Sequence, residues 1–113
     1  MTIPSGSGTE VLKRKTLHAN NATTTTILTG EANHIYTIIS VIFCNMTNGA
    51  GNIGMQVNDG SNPIYLLDNT SVGGYNTFVW NDKFVLEEDD ILKVYNQVTN
   101  GDWYVSYIEQ DWT

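Results

Sequence analysis

Short runs of apolar and β-branched residues alternate along the whole chain with clusters of asparagine, aspartate and glycine. Turn signals that recur about every ten residues are typical of an antiparallel sandwich or barrel. Asparagine and threonine account for 13 and 14 of the 113 residues, whereas residues that favour surface helices are scarce. The pattern therefore predicts an all-β chain with eight or nine short strands. The candidate strands cover residues 10–19, 22–29, 34–45, 53–58, 63–68, 75–80, 83–87, 91–97 and 102–109.

Two candidate strands, 34–45 and 102–109, carry apolar residues on both faces. With strict alternation, one face of the first holds Ile35, Thr37, Ile39, Val41 and Phe43, and the other holds Tyr36, Ile38, Ser40, Ile42 and Cys44. A two-layer sandwich covers only one face of each strand, so the second face needs either a neighbouring subunit or a loop of the same chain. We favour a subunit interface, and we expect it to include Ile38, Ile39, Ile42, Trp103, Tyr107 and Trp112.

The length of 113 residues suits one domain with a modest core. The Gly/Ser-rich segment 1–9 predicts an extended N-terminal arm, and residues 10–113 predict a single β-sandwich domain. Glycine and serine cost conformational entropy when they become ordered, so an ordered arm implies contacts with another chain. We expect the attachment residues to be Ile3, Pro4, Glu10, Lys13, Arg14 and Lys15.

The net charge of −7 argues against binding to nucleic acid and to anionic membranes. The charge is uneven, because residues 1–56 contain three basic and two acidic residues, whereas residues 57–113 contain ten acidic and two basic ones. A weakly basic beginning on an acidic body favours contact between copies of the chain. A solvated acidic surface that keeps the protein soluble explains the same pattern.

No motif predicts catalysis. The glycines at positions 49, 51 and 54 have dinucleotide-binding spacing but precede a short strand, so we interpret the segment as a hairpin loop. The acidic run 87–90 is interpreted as a tight turn, because adjacent strand residues point to opposite faces and no calcium-loop glycine is present. The two histidines and the single cysteine, Cys44, have no metal-site or nucleophile spacing. We expect no enzyme activity, no cofactor and no metal ion.

Several aromatic residues occur beside asparagine and aspartate, a composition that also suits a sugar-binding face. An aromatic ring can stack on a pyranose, although packing in cores and interfaces is the commoner use of such side chains. Exposure in one groove would favour sugar binding, and burial would favour packing. The candidates are Tyr75, Trp80, Trp103, Tyr104 and Trp112.

Five segments, residues 5–13, 42–44, 57–67, 77–86 and 106–113, resemble in the same order a group of small virion proteins of marine tailed bacteriophages. The resemblance implies a jelly-roll-like sandwich that assembles on the particle. It also implies a capsid decoration (cement) protein on the outer capsid surface, with the major capsid protein and copies of itself, as a homotrimer, for partners. The group is also similar to small sandwich heads of phage fibres. The alternative function is therefore a carbohydrate- or receptor-binding module of a fibre or tail.

Overall fold

The computed structural model describes residues 9–20 and 22–112. These residues form nine strands and contain no helix, and hence none that could cross a membrane. The predicted all-β class and strand number are confirmed, and the strand ends differ from the predicted ones by a few residues. The strands are β1 (Thr9–Ala19), β2 (Thr24–Thr29), β3 (His34–Asn45), β4 (Gly51–Asn58), β5 (Pro63–Val72), β6 (Thr77–Trp80), β7 (Phe84–Leu86), β8 (Ile91–Asn96) and β9 (Gly101–Asp111).

The strands form two antiparallel sheets. The five-stranded sheet has the order β1-β9-β3-β6, and β7 pairs with β3 beside β6; the four-stranded sheet has the order β2-β8-β4-β5. The pairing is nested along the chain: β1 pairs with β9, β2 with β8, β3 with both β6 and β7, and β4 with β5. This nesting is the arrangement of a jelly roll in which β6 and β7 share one strand position.

The core lies between the two sheets and is made by alternate residues of their strands. In β8, for example, Leu92, Val94 and Asn96 are buried while the residues between them are partly exposed. The Trp103 ring of β9 lies 4.7 Å from the Phe43 ring of β3, measured between ring centres. Burying large aromatic side chains of this kind contributes strongly to the stability of a small domain.

A β-bulge in β3 changes which of its side chains face the core. The pairing of β3 with β9 shifts between Ile38 and Ser40, so Ile39 is the extra residue. Tyr36 and Ile38 face the core before the bulge, and Val41, Phe43 and Asn45 face it after the bulge. The strict alternation assumed above is therefore wrong for this strand. One inserted residue moves every later side chain to the other face.

Asn45 at the end of β3 is fully buried and joins three segments of the chain. Its Nδ2 group donates to the carbonyls of Gly49, Val72 and Gly73, at 3.0, 3.2 and 3.2 Å. Its Oδ1 atom accepts from the backbone N–H and the hydroxyl of Thr47, at 2.9 and 2.7 Å. Because all these hydrogen bonds come from one buried amide, Asn45 holds the loops together. Removing it leaves the carbonyls and the Thr47 donors without their partner.

We expect Asn45→Ala to lower the free energy of unfolding by about 2–4 kcal/mol, because several buried polar groups lose their partner at once. Urea denaturation followed by tryptophan fluorescence measures the change. Asn48→Ala is the matched control, since Asn48 is exposed and its side chain forms no hydrogen bond with another described residue. Equal stability of the two variants would show that the Asn45 network does not hold the loops.

Candidate interaction surface

The outer face of the five-stranded sheet is apolar at its centre. Strand pairing places Leu12, Ile108, Thr37 and Val85 in one row across the sheet, and Thr16, Tyr104, Ile42 and Val79 in another. Leu12 is 71% exposed, and Val79, Val85 and Tyr104 are also exposed. A cluster of exposed apolar side chains on one sheet face is typical of an interaction site. We call this surface the apolar face; it comprises Leu12, Ile39, Ile42, Val79, Val85, Tyr104 and Ile108.

A shallow groove of 460 Å³ runs between β1 and the bulge of β3 on the apolar face. Leu12 and Ile39 line it on opposite sides, and Ser40 and Ser106 lie between them. The Arg14 guanidinium carbon lies 6.0 Å from the centre of the Tyr104 ring, so a cation–π contact closes one end. The groove could accept an apolar side chain from a second molecule.

Polar pairs flank the apolar face at both ends of the sheet. At one end Gln110 Nε2 donates to Glu10 Oε1 at 3.0 Å. At the other end His18 pairs with Asp102 through Nδ1. An apolar centre surrounded by polar groups is the usual composition of a protein–protein interface.

The two edges of the five-stranded sheet differ in charge. The edge strand β1 carries Lys13, Arg14 and Lys15, and only Lys13 among them forms an ion pair with a described residue, Glu109. The hydrogen bond with that carboxylate raises the pKa of Lys13. The opposite edge, formed by β6 and β7, is followed by the acidic residues 87–90. The sheet therefore has a basic edge strand, and an acidic turn follows the last strand of its opposite edge.

His34 lies at the beginning of β3 among three carboxylates. Its Nδ1 atom contacts the Ala32 carbonyl at 2.8 Å, and its Nε2 atom lies 3.7 Å from Glu31, 3.6 Å from Glu109 and 3.5 Å from Asp111. The hydrogen bond to the Ala32 carbonyl, together with the nearby negative charges, raises the pKa of His34 even though burial opposes this. The cluster joins the loop before β3 to the end of β9 and, through Glu109, to Lys13.

Two tyrosines, Tyr36 and Tyr107, lie beside this cluster and are neutral. Burial, with help from Glu31 and Glu109, raises the pKa of Tyr36 to about 12. Burial also raises the pKa of Tyr107. The Tyr36 and Tyr107 rings contact edge to face, with their centres 5.5 Å apart.

The cluster predicts a pH dependence of stability. Because folding raises the pKa of His34, the stabilisation by its protonated form is complete below the ordinary value of 6.5 and is lost as the pH rises through the higher folded value. We expect the free energy of unfolding to fall as the pH rises above 6.5, where the carboxylates stay charged. Urea denaturation across this range measures it.

His34→Gln should flatten that profile because it removes the titrating group. His18→Gln is the control, since the His18–Asp102 pair is largely exposed at the other end of the sheet and should matter less. A profile unchanged by His34→Gln would show that the three carboxylates do not act through this imidazole.

The structure separates the residues expected at a subunit interface. Ile38, Trp103 and Tyr107 are buried between the sheets of one chain, so their assignment to an interface is wrong. The bulge at Ile39 explains why Ile38 faces the core while Ile42 faces outward. Trp103 is also held in the core by a hydrogen bond, which its Nε1 group donates to Asn96 Oδ1 at 3.2 Å. Ile39 and Ile42 lie on the apolar face, and Trp112 is partly exposed after β9. For these three the interface remains a prediction.

The attachment residues and the proposed sugar-binding face have mixed outcomes. Ile3 and Pro4 lie outside the described residues, whereas Glu10, Lys13, Arg14 and Lys15 all lie on the exposed part of β1. The candidate sugar-binding rings do not share a groove. Trp103 is in the core, Trp80 and Trp112 are half-buried, and Tyr75 and Tyr104 are exposed in a loop and on the apolar face, respectively.

The acidic run forms the predicted turn, whereas the interpretation of residues 49–54 as a hairpin loop is wrong, because β3 and β4 lie in different sheets and do not pair with each other. The glycine-rich segment leads into β4, and the run 87–90 forms a turn in which the Asp90 N–H donates to the Glu87 carbonyl at 3.1 Å. Within residues 9–20 and 22–112 no group of histidine, cysteine and carboxylate side chains has the geometry of a metal site. The apolar residues Leu12, Val79 and Val85 were not identified from the sequence, because only the pairing of distant strands brings them together.

No known protein-family model and no curated protein matches the chain. A solved structure of a Bacillus endospore appendage protein, described as part of a novel family of disulfide-linked pili, is similar in fold. The similarity covers 100% of this chain and 97% of that one, with a TM-score of 0.55 and 14% sequence identity. At this identity the comparison establishes a shared β-sandwich architecture.

Proposed function

We propose that this protein is a non-catalytic structural subunit that assembles with copies of itself on the outer surface of a virion, as a capsid decoration (cement) protein. The observation that carries the proposal is the apolar face, where Leu12 is 71% exposed beside Val79, Val85 and Tyr104. Each square ångström of apolar surface removed from water contributes about 25 cal/mol, so covering this face favours association.

A second copy of the chain is the partner that best suits this face. The protein has a net charge of −7, so most of its surfaces repel a copy. The centre of the apolar face carries a single charged side chain, Arg14, which is engaged with Tyr104. Two copies can therefore approach through this face without strong charge repulsion.

The charge difference between the sheet edges favours a ring over a face-to-face dimer. A contact between identical surfaces produces a dimer, whereas a contact between two different surfaces closes into a ring. Arg14 and Lys15 on β1 are complementary to Glu87 and Asp89 beyond β7, which are exposed at the opposite edge. The proposed homotrimer places the basic edge strand of one copy beside the acidic turn 87–90 of the next and covers part of the apolar face.

The resemblance to phage virion proteins and the fold similarity to an appendage protein both support a structural role. That appendage protein is described as disulfide-linked. A disulfide is no part of the present proposal, because Cys44 is the only cysteine and is half-buried in the sheet. Association here rests on apolar and charged side chains.

The proposed action is mechanical. A shell filled with DNA is under outward pressure, and a rigid sandwich that binds neighbouring copies of the major capsid protein adds interface between them. Ile3 and Pro4 provide the attachment to the capsid in this proposal, because the basic residues of β1 contact the neighbouring copy. Because many copies bind one particle, a few kcal/mol from each copy produces a large gain in kinetic stability.

The apolar face can be tested by substitution. Leu12→Asp and Ile39→Asp each place a charge on this face, so both should convert the trimer to monomers in sedimentation velocity experiments. The stability of the Leu12→Asp monomer should change by less than about 0.5 kcal/mol, because Leu12 buries little in one chain.

Ile64→Asp is the matched control for this test. Ile64 is 49% exposed on the edge strand β5 of the other sheet, so its substitution should leave the trimer intact. A parent protein that is monomeric at high concentration, or a trimer unaffected by Leu12→Asp, would contradict self-assembly through the apolar face.

The capsid role predicts a property of whole particles. Virions that lack this protein should release DNA at a lower temperature and under osmotic shock, while still adsorbing to cells. Particles carrying the Leu12→Asp protein should show the same weakness. Normal particle stability combined with loss of adsorption would instead favour the receptor-binding function.

A further inference from the structure

The outer face of the four-stranded sheet contains a hollow whose floor is a glycine. Strand pairing places Thr24, Tyr95 and Gly54 in one row, and Thr26, Lys93, Gln56 and Tyr65 in the next. Because Gly54 has no side chain, the sheet is open between Tyr95 and the edge strand β5. The hollow has a volume of 280 Å³, somewhat below the usual range of small-molecule sites.

The edge strand β5 forms the rim of the hollow because it is bulged twice. Its pairing with β4 shifts between Ile53 and Met55 and again between Met55 and Gln56. The first irregularity contains Asp68 and Asn69, and Asn69 has a positive φ of 52°. Bulges often redirect side chains beside binding sites. Here they place Asp68, Asn69 and Tyr65, which is 58% exposed, around the hollow.

Four polar side chains of the hollow have no partner among the described residues. The side chains of Gln56, Asp68, Asn69 and Lys93 form no hydrogen bond or ion pair with any other residue of 9–20 and 22–112. The carboxylate of Asp68 and the ammonium of Lys93 line the same hollow without pairing with each other. Two amides, one acid and one base are therefore available to a ligand at one place.

We propose that this hollow binds one pyranose unit of a carbohydrate. The C–H face of a pyranose packs on an aromatic ring, and the hollow has the exposed ring of Tyr65 on one side and the half-buried ring of Tyr95 on another. The ring hydroxyls both donate and accept hydrogen bonds, which matches the mixture of carboxylate, amide and ammonium groups. A phosphorylated ligand is disfavoured because Lys93 is the only cation among the described residues that line the hollow, and the carboxylate of Asp68 lines it too.

The hollow is independent of the apolar face, because it lies on the other sheet. A subunit that assembles through its five-stranded sheet leaves the four-stranded sheet turned away from that contact. Sugar binding in the hollow is therefore a function separate from assembly through the apolar face. An experiment that contradicts one of them does not contradict the other.

The experiment is an NMR titration of the isotope-labelled full chain with the methyl pyranosides of glucose, galactose, mannose and N-acetylglucosamine. We expect saturable shifts at the backbone amides of Gly54, Gln56, Tyr65 and Lys93 for at least one sugar. Tyr65→Ala should weaken its binding about tenfold, the factor that corresponds to 1.4 kcal/mol.

A second variant fills the floor of the hollow. An added Cβ at Gly54 would lie 3.4 Å from the Leu67 carbonyl oxygen and 3.9 Å from Tyr95 Cβ, which are ordinary contacts, so Gly54→Val should fold. Gly54→Val should abolish the saturable shifts caused by the sugar. Its melting temperature and circular-dichroism spectrum should remain those of a folded β-sandwich.

Tyr75→Asn is the control for the loss of an exposed tyrosine. Tyr75 is 72% exposed in the loop before β6 and has a φ of 59°, a conformation that asparagine tolerates. This variant should bind like the parent. Absence of saturable shifts with all four sugars, or equal weakening by Tyr75→Asn and Tyr65→Ala, would overturn the proposal.

Discussion

The insertion of β9 between β1 and β3 is the contact on which the rest of the structure depends. β9 pairs along its whole length with β1 on one side and with β3 on the other, and β1 has no other partner in its sheet. Trp103 of the same strand fills the core against Phe43 and hydrogen-bonds to Asn96 of the opposite sheet. The apolar face also exists only when these three strands are side by side. Because β1 and β9 lie at opposite ends of the chain, this pairing closes a long loop and should form late and slowly during folding.

The strands could be predicted from the sequence because their signals are local. Turn residues such as those at 59–62 and 100–101 mark strand ends by their own backbone preferences, and the confirmed strand number follows from them. The faces of the strands could not be predicted as reliably. One extra residue at Ile39 reverses the alternation of β3, and no local pattern distinguishes a bulged isoleucine from a paired one. Leu12 illustrates the same limit, since its place beside Ile108 depends on a pairing that spans the chain.

The two outer faces of the sandwich have opposite chemical character. The five-stranded sheet presents isoleucine, valine and leucine with one engaged arginine, whereas the four-stranded sheet presents unpaired amides, an acid and a base around Gly54. A soluble antiparallel sheet normally has a polar outer face, so the apolar one is the exception that needs a partner. The positions of the tryptophans explain why they do not line a sugar-binding groove. They pack in or beside the core, whereas Tyr65 of the four-stranded sheet is exposed.

The sheet edges determine how such a protein can associate. Exposed edges tend to pair with other chains without specificity, and each edge here is protected in a different way. β1 carries two lysines and an arginine, and β6 and β7 are only four and three residues long. In the other sheet β2 is bulged at Ile27, and β5 begins with Pro63 and is bulged twice. Continuous backbone pairing between copies is therefore unfavourable at all of these edges. Association is left to side chains, through the apolar face and the complementary charges beside it, and side-chain contacts of this kind can select one partner and one geometry.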